Sequence, residues 1–395
     1  MGDQSSIISE FYDRFPYPGD VLKDEPPNGF NWRWSFDNVH AFCTGALPTQ
    51  ICSTKSLRIL DAGCGSGVST DYLAHLNPGS EILAVDISKG TLSVAMERLN
   101  RSCGEDKVKL QFKNENILNI KGEGLFDYIN SVGVLHHLSD PLEGLKALGA
   151  LLNPGGIIHL FVYADGGRWE IRRIQRALKT MGVINDRNDI QLARDLLQNL
   201  PKSNRLRRNH EEKWLVDCQS DINFADMYLH PREITFNLET LFQLIEDSKL
   251  HFLGFSNPVN WSIERFLKGD LLDRVNVMTT MQKFQLVETL NPDISHFEFF
   301  LSKGPLKHYE WKNDDALLAT TGKISRSICG CPAPVFYDYE LNRIELNKNC
   351  LKLLDLIEKE PEKPLALLPL DWDKSLIAST ARDLKNRQLL LLYPL

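Results

Sequence analysis

The run LRILDAGCGSGVSTDYL, residues 57–73, constrains this chain more than any other segment. Its apolar start reads as a strand ending at Leu60, with Asp61 at the tip. Gly63, Gly65 and Gly67 then space out a tight turn before a helix begins. Glycine allows the sharp turn and lets a ligand lie against the main chain. A second apolar run, ILAVDIS over 82–88, ends in Asp86 about 20 residues past the first glycines. An acid at that strand tip suits a ribose with both hydroxyls free.

A dinucleotide fingerprint reads GxGxxG and aims a helix N-terminus at a pyrophosphate. Here the turn reads Gly63-Cys64-Gly65-Ser66-Gly67, with Asp61 just before it. A carboxylate at that point is poor company for a diphosphate and good company for an ammonium group. S-adenosylmethionine offers an α-amino group, a sulfonium charge, a ribose diol and no phosphate. An ordinary glycine turn for NAD is the alternative. No GxxxxGK[ST] occurs, which excludes a P-loop.

Residues 57–163 closely resemble the class I S-adenosylmethionine-dependent methyltransferase family. DAGCGSG matches that family's first motif, QFKNENILNI (111–120) the segment after its third strand, FDYINSVGVLHHLSDP (126–141) its fourth strand and loop, and LLNPGGIIHLFVY (151–163) the turn into its fifth. The resemblance implies that Asp61, Gly63, Gly65 and Gly67 line the methionine end and that Asp86 holds the ribose hydroxyls. It places Ile87 beside the adenine, Asn116 where the family has an aspartate facing the adenine amino group, Ile117 as a backbone donor, and Ser131 at the fourth strand tip. The amide oxygen of Asn116 still accepts a hydrogen bond.

The chain has 395 residues, room for two or three domains around one such core. Strand and helix patterns alternate from 57 to 162, predicting a parallel sheet with helices on both faces. Residues 1–50 read as an N-terminal cap, in which EFYDRFPYPGD packs Phe11, Tyr12, Phe15 and Tyr17 around two prolines. Tyr12 and Tyr17 are expected at the mouth of the site, or as staples for the N-terminus. The methyltransferase domain is expected over 51–305, with a helical insertion at about 166–225. WEIRRIQRALKTMG in that insertion is amphipathic at helical period. A helix at 236–247 and strands at 251–256 and 296–303 complete the core. Residues 306–395 read as helix, loop, helix and strand, a small winged-helix-like α+β accessory unit. The expected fold is α/β and Rossmann-like, with these two additions.

The net charge of −7 disfavours nucleic acid, whose binders carry a basic footprint. The arginines of 167–179 and 202–213 face an anionic substrate or RNA, or simply solvent. Eight scattered cysteines suit reduced cytoplasmic thiols. Cys329 and Cys331 form CxC without a second pair, so no metal is expected. No uncharged apolar run approaches the roughly 18 residues of a membrane span. A homodimer is compatible with all of this.

Candidates for substrate chemistry lie beyond the strand tips. His136 and His137 follow the fourth strand. Tyr163, Asp165 and Arg168 follow the fifth, and the planar fork of Arg168 suits a carboxylate. Asp226, Tyr228 and His230 alternate, so an extended path puts them on one side. His230 ranks first as a base, because imidazole titrates near neutrality; anchoring a loop is its other reading. His230, Tyr228 and Arg168 are expected in one cavity that opens to the methyl, with Tyr17 at its edge and His136 close by. The leading expectation is methylation of O, N or S on a small, anionic metabolite. Protein or peptide methylation through the C-terminal unit comes second, RNA third, and a non-enzymatic cofactor-binding regulator fourth.

Overall fold

The computed structural model describes residues 4–27, 31–48, 56–183, 187–325, 333–337 and 343–394. The Cys329–Cys331 pair lies outside them. Two helices, α1 (Gln4–Arg14) and α2 (Phe36–Thr44), precede the sheet. Then β1 (Arg58–Ala62), α3 (Val68–Leu76), β2 (Glu81–Asp86), α4 (Lys89–Arg101), β3 (Lys109–Asn114), β4 (Phe126–Val132), α5 (Pro141–Leu151) and β5 (Leu152–Tyr163) alternate. Helices α6 (Trp169–Thr180), α7 (Arg187–Asn199), α8 (Arg205–Asn209) and α9 (Asp221–Leu229) interrupt the core. The sheet resumes through α10 (Leu238–Ser248), β6 (His251–Phe255), α11 (Asp270–Asn276), α12 (Thr280–Leu290) and β7 (His296–Ser302).

The seven strands run in the order β3-β2-β1-β4-β5-β7-β6. Strands β1 to β5 are parallel, as the alternating pattern predicts, and β7 is antiparallel to both its neighbours. The order reverses beside β1, so the crevice at the tips of β1 and β4 is where such sheets take ligands. Side chains alternate across the sheet. Ile59, Ile82, Tyr128, Ile157 and Phe300 join Trp32, Phe36 and Val39 on one face. Leu60, Leu83, Ile129, Ile158, Phe299 and Leu301 pack with α5 and α10 on the other. The helix ends follow local chemistry. Ser88 caps α4 by accepting from Thr91 N, Asp140 caps α5 ahead of Pro141, and Asn237 with Thr240 forms a capping box on α10.

After β7 come α13 (Asp314–Ala319), β8 (Gly322–Ile324), β9 (Val335–Tyr337), β10 (Arg343–Glu345), α14 (Lys348–Lys359), α15 (Lys374–Asn386) and β11 (Leu390–Leu392). They bury a core of their own that includes Leu318, Leu353, Leu384 and Leu390. The likeness to a winged helix is limited to the α14–α15–β11 succession, with β11 antiparallel to β8. This unit is fixed to the end of α2. Leu47 N donates to Leu392 O at 2.7 Å and Trp311 Nε1 to Gly45 O at 2.6 Å. Two basic residues near the end of α15 are occupied, Arg382 by Asp314 and Arg387 by Asp383 and the Glu345 carbonyl. No helix among the described residues is long and apolar enough to cross a membrane.

Phe300 is fully buried between the sheet and the N-terminal aromatics, with ring centroids 5.8 Å from Trp32 and 5.7 Å from Phe42. Phe300→Ala is expected to cost about 3–5 kcal/mol of stability. A denaturant midpoint within error of the unmodified protein's would refute this packing.

Candidate functional site

The glycine turn, the tips of β2 and β4 and the N-terminal segment enclose a cleft of about 260 Å³. Gly63, Cys64 and Gly65 form its floor, and Asp86, Ile87, Asn116 and Ile117 one end. Tyr12, Tyr17, Trp34, His137 and Arg232 wall the other parts. Gly65 has φ +54, and a Cβ there would meet the Tyr17 carbonyl oxygen at 2.6 Å. Ser66 N donates to that same carbonyl at 2.9 Å, so the N-terminal segment rests directly on the turn. Asp86 accepts Gly65 N on one oxygen at 3.0 Å and Ser88 N on the other at 2.9 Å. Burial pushes its carboxyl up to about 6, against the lowering effect of those N–H groups. The Asn116 oxygen accepts Leu118 N at 3.0 Å.

Asp61, Gly67 and Ser131 lie behind this lining rather than in it. Asp61 is 1% exposed and accepts from Ser69 Oγ, Thr70 Oγ1 and Asn130 Nδ2 at 2.7–2.8 Å. Burial raises its pKa and these bonds oppose the rise. Ser131 is buried, and its hydroxyl has no hydrogen-bond partner. Gly133, just beyond it on the cleft, has φ +78 and open space within 4 Å of where a Cβ would sit.

A buried polar chain leads away from Asp61. Asn130 Oδ1 accepts from Trp34 Nε1 at 3.1 Å and from His159 Nδ1 at 2.9 Å. His159 Nε2 donates to Glu298 at 3.1 Å, and Glu298 pairs with Arg33 at 2.5 Å. A guanidinium, an imidazole and two carboxyl groups thus share this chain. Burial alone pushes the Glu298 carboxyl up, but the bond and charge of His159 and the charge of Arg33 hold it down at about 2.

The sequence-predicted substrate residues divide. Tyr17 lines the cleft, as does Tyr12. Asp226 and Tyr228 belong to helix α9, not to an extended path, and His230 follows as its C-cap. Two positions apart on a helix point in different directions. Asp226 accepts from Tyr12 OH at 3.1 Å, while Tyr228 turns away to hydrogen-bond His210 Nδ1 at 2.8 Å. Tyr228 therefore packs the inserted helices. Arg168 is 3% exposed and clamped by Glu233 through two bonds of 2.9 and 2.7 Å, with its guanidinium 3.5 Å over the Tyr163 ring. Its fork is already filled, so it offers no carboxylate clamp. His136 is fully buried, stacks on Tyr163 with centroids 3.9 Å apart and has no hydrogen bond on either nitrogen. His230 sits behind His137, their ring centroids 3.8 Å apart, and is flanked by Phe11 and Tyr12. His230, Tyr228 and Arg168 thus lie outside the cleft lining, and His137 is the histidine on the wall. Burial lowers His137 to about 4 and raises Asp226 to about 7.

A profile for the methyltransferase domain matches residues 60–158. An uncharacterised protein of a Synechococcus strain is 43% identical over 396 residues, spanning 99% of this chain and 94% of that protein. The ubiquinone biosynthesis O-methyltransferase of Xanthomonas campestris is 32% identical over 105 residues, 26% of this chain and 41% of that enzyme. The structure of PKMT2 from Rickettsia typhi in complex with AdoHcy is similar with a TM-score of 0.63 at 18% identity, covering 93% of this chain and 77% of that one. Residues 60–158 thus form a methyltransferase domain, and the chain has the fold of the class I S-adenosylmethionine-dependent methyltransferases.

The methyltransferase takes S-adenosylmethionine as its cofactor, and the cleft fits it. Open space beside Gly133, an acid with both oxygens held by backbone N–H groups, and apolar walls at Ile87, Ile117 and Val132 suit a nucleoside carrying a polar tail. Sequence reasoning missed Trp34, His159, Glu298 and Arg232. The WRW triplet at 32–34 and the lone acid among the phenylalanines of β7 were the available signals. Glu298→Gln is expected to destabilise the methyltransferase by about 3 kcal/mol at pH 7. A depressed carboxylate stabilises fully above its ordinary range and loses that contribution as pH falls toward its folded value. The gap between the two proteins should close between about pH 4.5 and about 2. Urea titrations across that range, showing a constant gap, would contradict the charged chain.

Proposed function

We propose that this methyltransferase acts in the cytoplasm on a small metabolite, at an atom presented between Tyr12, Tyr17, His137 and Arg232. The observation that carries this reading is the closure of the cleft by the N-terminal segment, which leaves a narrow, aromatic-walled space over the glycine turn. In this reading residues 1–50 cap the cleft, 51–305 carry the chemistry with the helical insertion at about 166–225, and 306–395 form an accessory unit. An acidic or oxygen-rich acceptor suits the wall through Arg232, whose Nε donates to the His137 carbonyl at 2.9 Å. Arg168 no longer argues for an anion, since Glu233 matches its charge. Free thiols at Cys64, Cys218 and Cys350 agree with a reducing compartment.

Bound S-adenosylmethionine supplies an electrophilic methyl on a sulfonium. The protein's part is orientation and exclusion of water. Asp86 accepts the ribose hydroxyls, Ile87 and Ile117 flank the adenine, and Asn116 faces its amino group. Gly63 and Gly65 bring the main chain against the methionine end. Asp61 acts from behind, by setting the turn through Ser69 and Thr70. Tyr17 and Trp34 form the aromatic walls beside the reacting groups.

Purified protein with methyl-labelled cofactor should label the small-molecule fraction of a cell extract. Label confined to polypeptides would replace this reading with peptide methylation. Asp86→Ala should weaken S-adenosylhomocysteine binding by about 1.5–3 kcal/mol, roughly ten- to hundredfold. Only the ionised carboxylate accepts both hydroxyls, so binding to the unmodified protein should weaken as pH falls below about 6. Calorimetry showing equal affinity in the variant, or affinity flat between pH 7 and 5, would remove Asp86 from the ribose.

A further inference from the structure

Behind the cleft wall, His137, Asp226 and His230 offer one ligand atom each, and these atoms all lie within 4.8 Å of one another. The three side chains are 4–8% exposed. We propose that this triad binds a divalent transition-metal ion, zinc or a metal of similar size, at the border of the cofactor cleft.

Two imidazoles and one carboxylate are a common donor set for such ions, and three protein ligands leave positions open for water or an acceptor oxygen. Ligands at about 2.0–2.2 Å around a tetrahedral ion stand roughly 3.4 Å apart, so side-chain shifts of about 1 Å close the site. The surroundings are those of metal ligands. His137 Nδ1 donates to the Arg232 carbonyl at 2.8 Å, which fixes the tautomer and leaves the Nε2 lone pair available. Tyr12 OH donates to one oxygen of Asp226 and orients the carboxylate. The independent observation is His230. Its Nε2 is buried without a hydrogen-bond partner, a costly state for a polar atom beside a carboxylate and a second imidazole. His230 Nδ1 accepts Arg232 N at 3.2 Å. Ligation through Nε2 moves the ring proton to Nδ1 and gives up that one long bond.

His137 belongs both to the triad and to the cleft lining, so an ion held here borders the space where an acceptor sits. Its purpose rests on the proposed small acceptor: an open coordination position would hold an acceptor oxygen. Its existence does not rest on that reading, because ion uptake is measured with no acceptor present.

The test uses the full, tag-free chain stripped with a chelator and then dialysed against zinc(II) or cobalt(II) alone. One equivalent per chain is expected, with the visible d–d absorption of low-symmetry cobalt(II). His230→Gln and Asp226→Asn should each lower ion affinity on the order of 100-fold, while S-adenosylhomocysteine affinity, measured in parallel, reports that the fold is intact. If one variant loses both, the other decides. Uptake below one equivalent, absence of the cobalt band in the unmodified protein, or uptake that survives a substitution in a folded variant would overturn the site.

Discussion

The run of charge from Arg33 through Glu298, His159 and Asn130 to Asp61 is the constraint to which much of this structure answers. Ions removed from water are strongly unfavourable unless each is matched in sign and hydrogen-bonded. Here the four titratable groups come from four places: a turn before α2, the middle of β7, the middle of β5 and the tip of β1. Asn130 on β4 joins them. Satisfying the chain requires β1, β4, β5 and β7 side by side, and requires the N-terminal segment to dock across them. The strand order β1-β4-β5-β7 meets that requirement. Asp61, at the end of the chain, accepts from Asn130 on one oxygen and from both Ser69 and Thr70, at the start of α3, on the other, which sets the glycine turn.

The N-terminal residues serve both the cofactor end and the accessory unit. Ser9 Oγ donates to Ile87 O at 3.1 Å, and Ser88 Oγ to Asp13 at 2.6 Å, tying α1 to the tip of β2. Arg98 of α4 reaches Ser66 O and Asp20 O, closing the loop after Tyr17 over the turn. Phe11 and Phe15 bury themselves among the inserted helices, against Phe224 and Leu229 of α9. The insertion and the N-terminus therefore build one roof. Further on, Asn38 Nδ2 donates to Ser325 Oγ at 2.7 Å and Lys323 pairs with Asp37 at 2.5 Å, joining α2 to the accessory unit.

What the sequence disclosed was local. A strand, an acid and three glycines within ten residues specify a turn whatever lies elsewhere; Asp86 is read by its place at a strand tip, and Ile117 through the family resemblance. The parallel half of the sheet follows from the same periodicity. Helices α11 and α12 carried little signal, because Val275 and Val287 are their only buried side chains among the described residues. The substrate side was harder to read, since its partners are far apart in the chain. Arg168 reads as a free clamp until Glu233 is brought against it, and Glu298 is one acid among the phenylalanines of β7 until Arg33 arrives. Asp226, Tyr228 and His230 alternate as a strand would, yet Ser220 caps a helix through Asn223 N and turns the alternation into divergence.

That divergence decides which chemistry reaches the cleft. On an extended path Tyr228 and Asp226 would stand together over the methyl. On α9, Asp226 faces Tyr12 and the cleft side, and Tyr228 locks α9 to His210. Arg168 and Glu233 cancel beside them, and Gln175 also donates to Glu233 at 3.2 Å. These buried polar groups are thus spent on one another. Tyr12, Tyr17, His137 and Arg232 line the cleft where the proposed acceptor enters, three of them ring systems with few rotatable bonds. Such walls lose little entropy on binding and select by shape as well as charge. On the proposed function, specificity lies in the N-terminal segment and the loops after β4 and α9, while the sheet beneath them sets the cofactor.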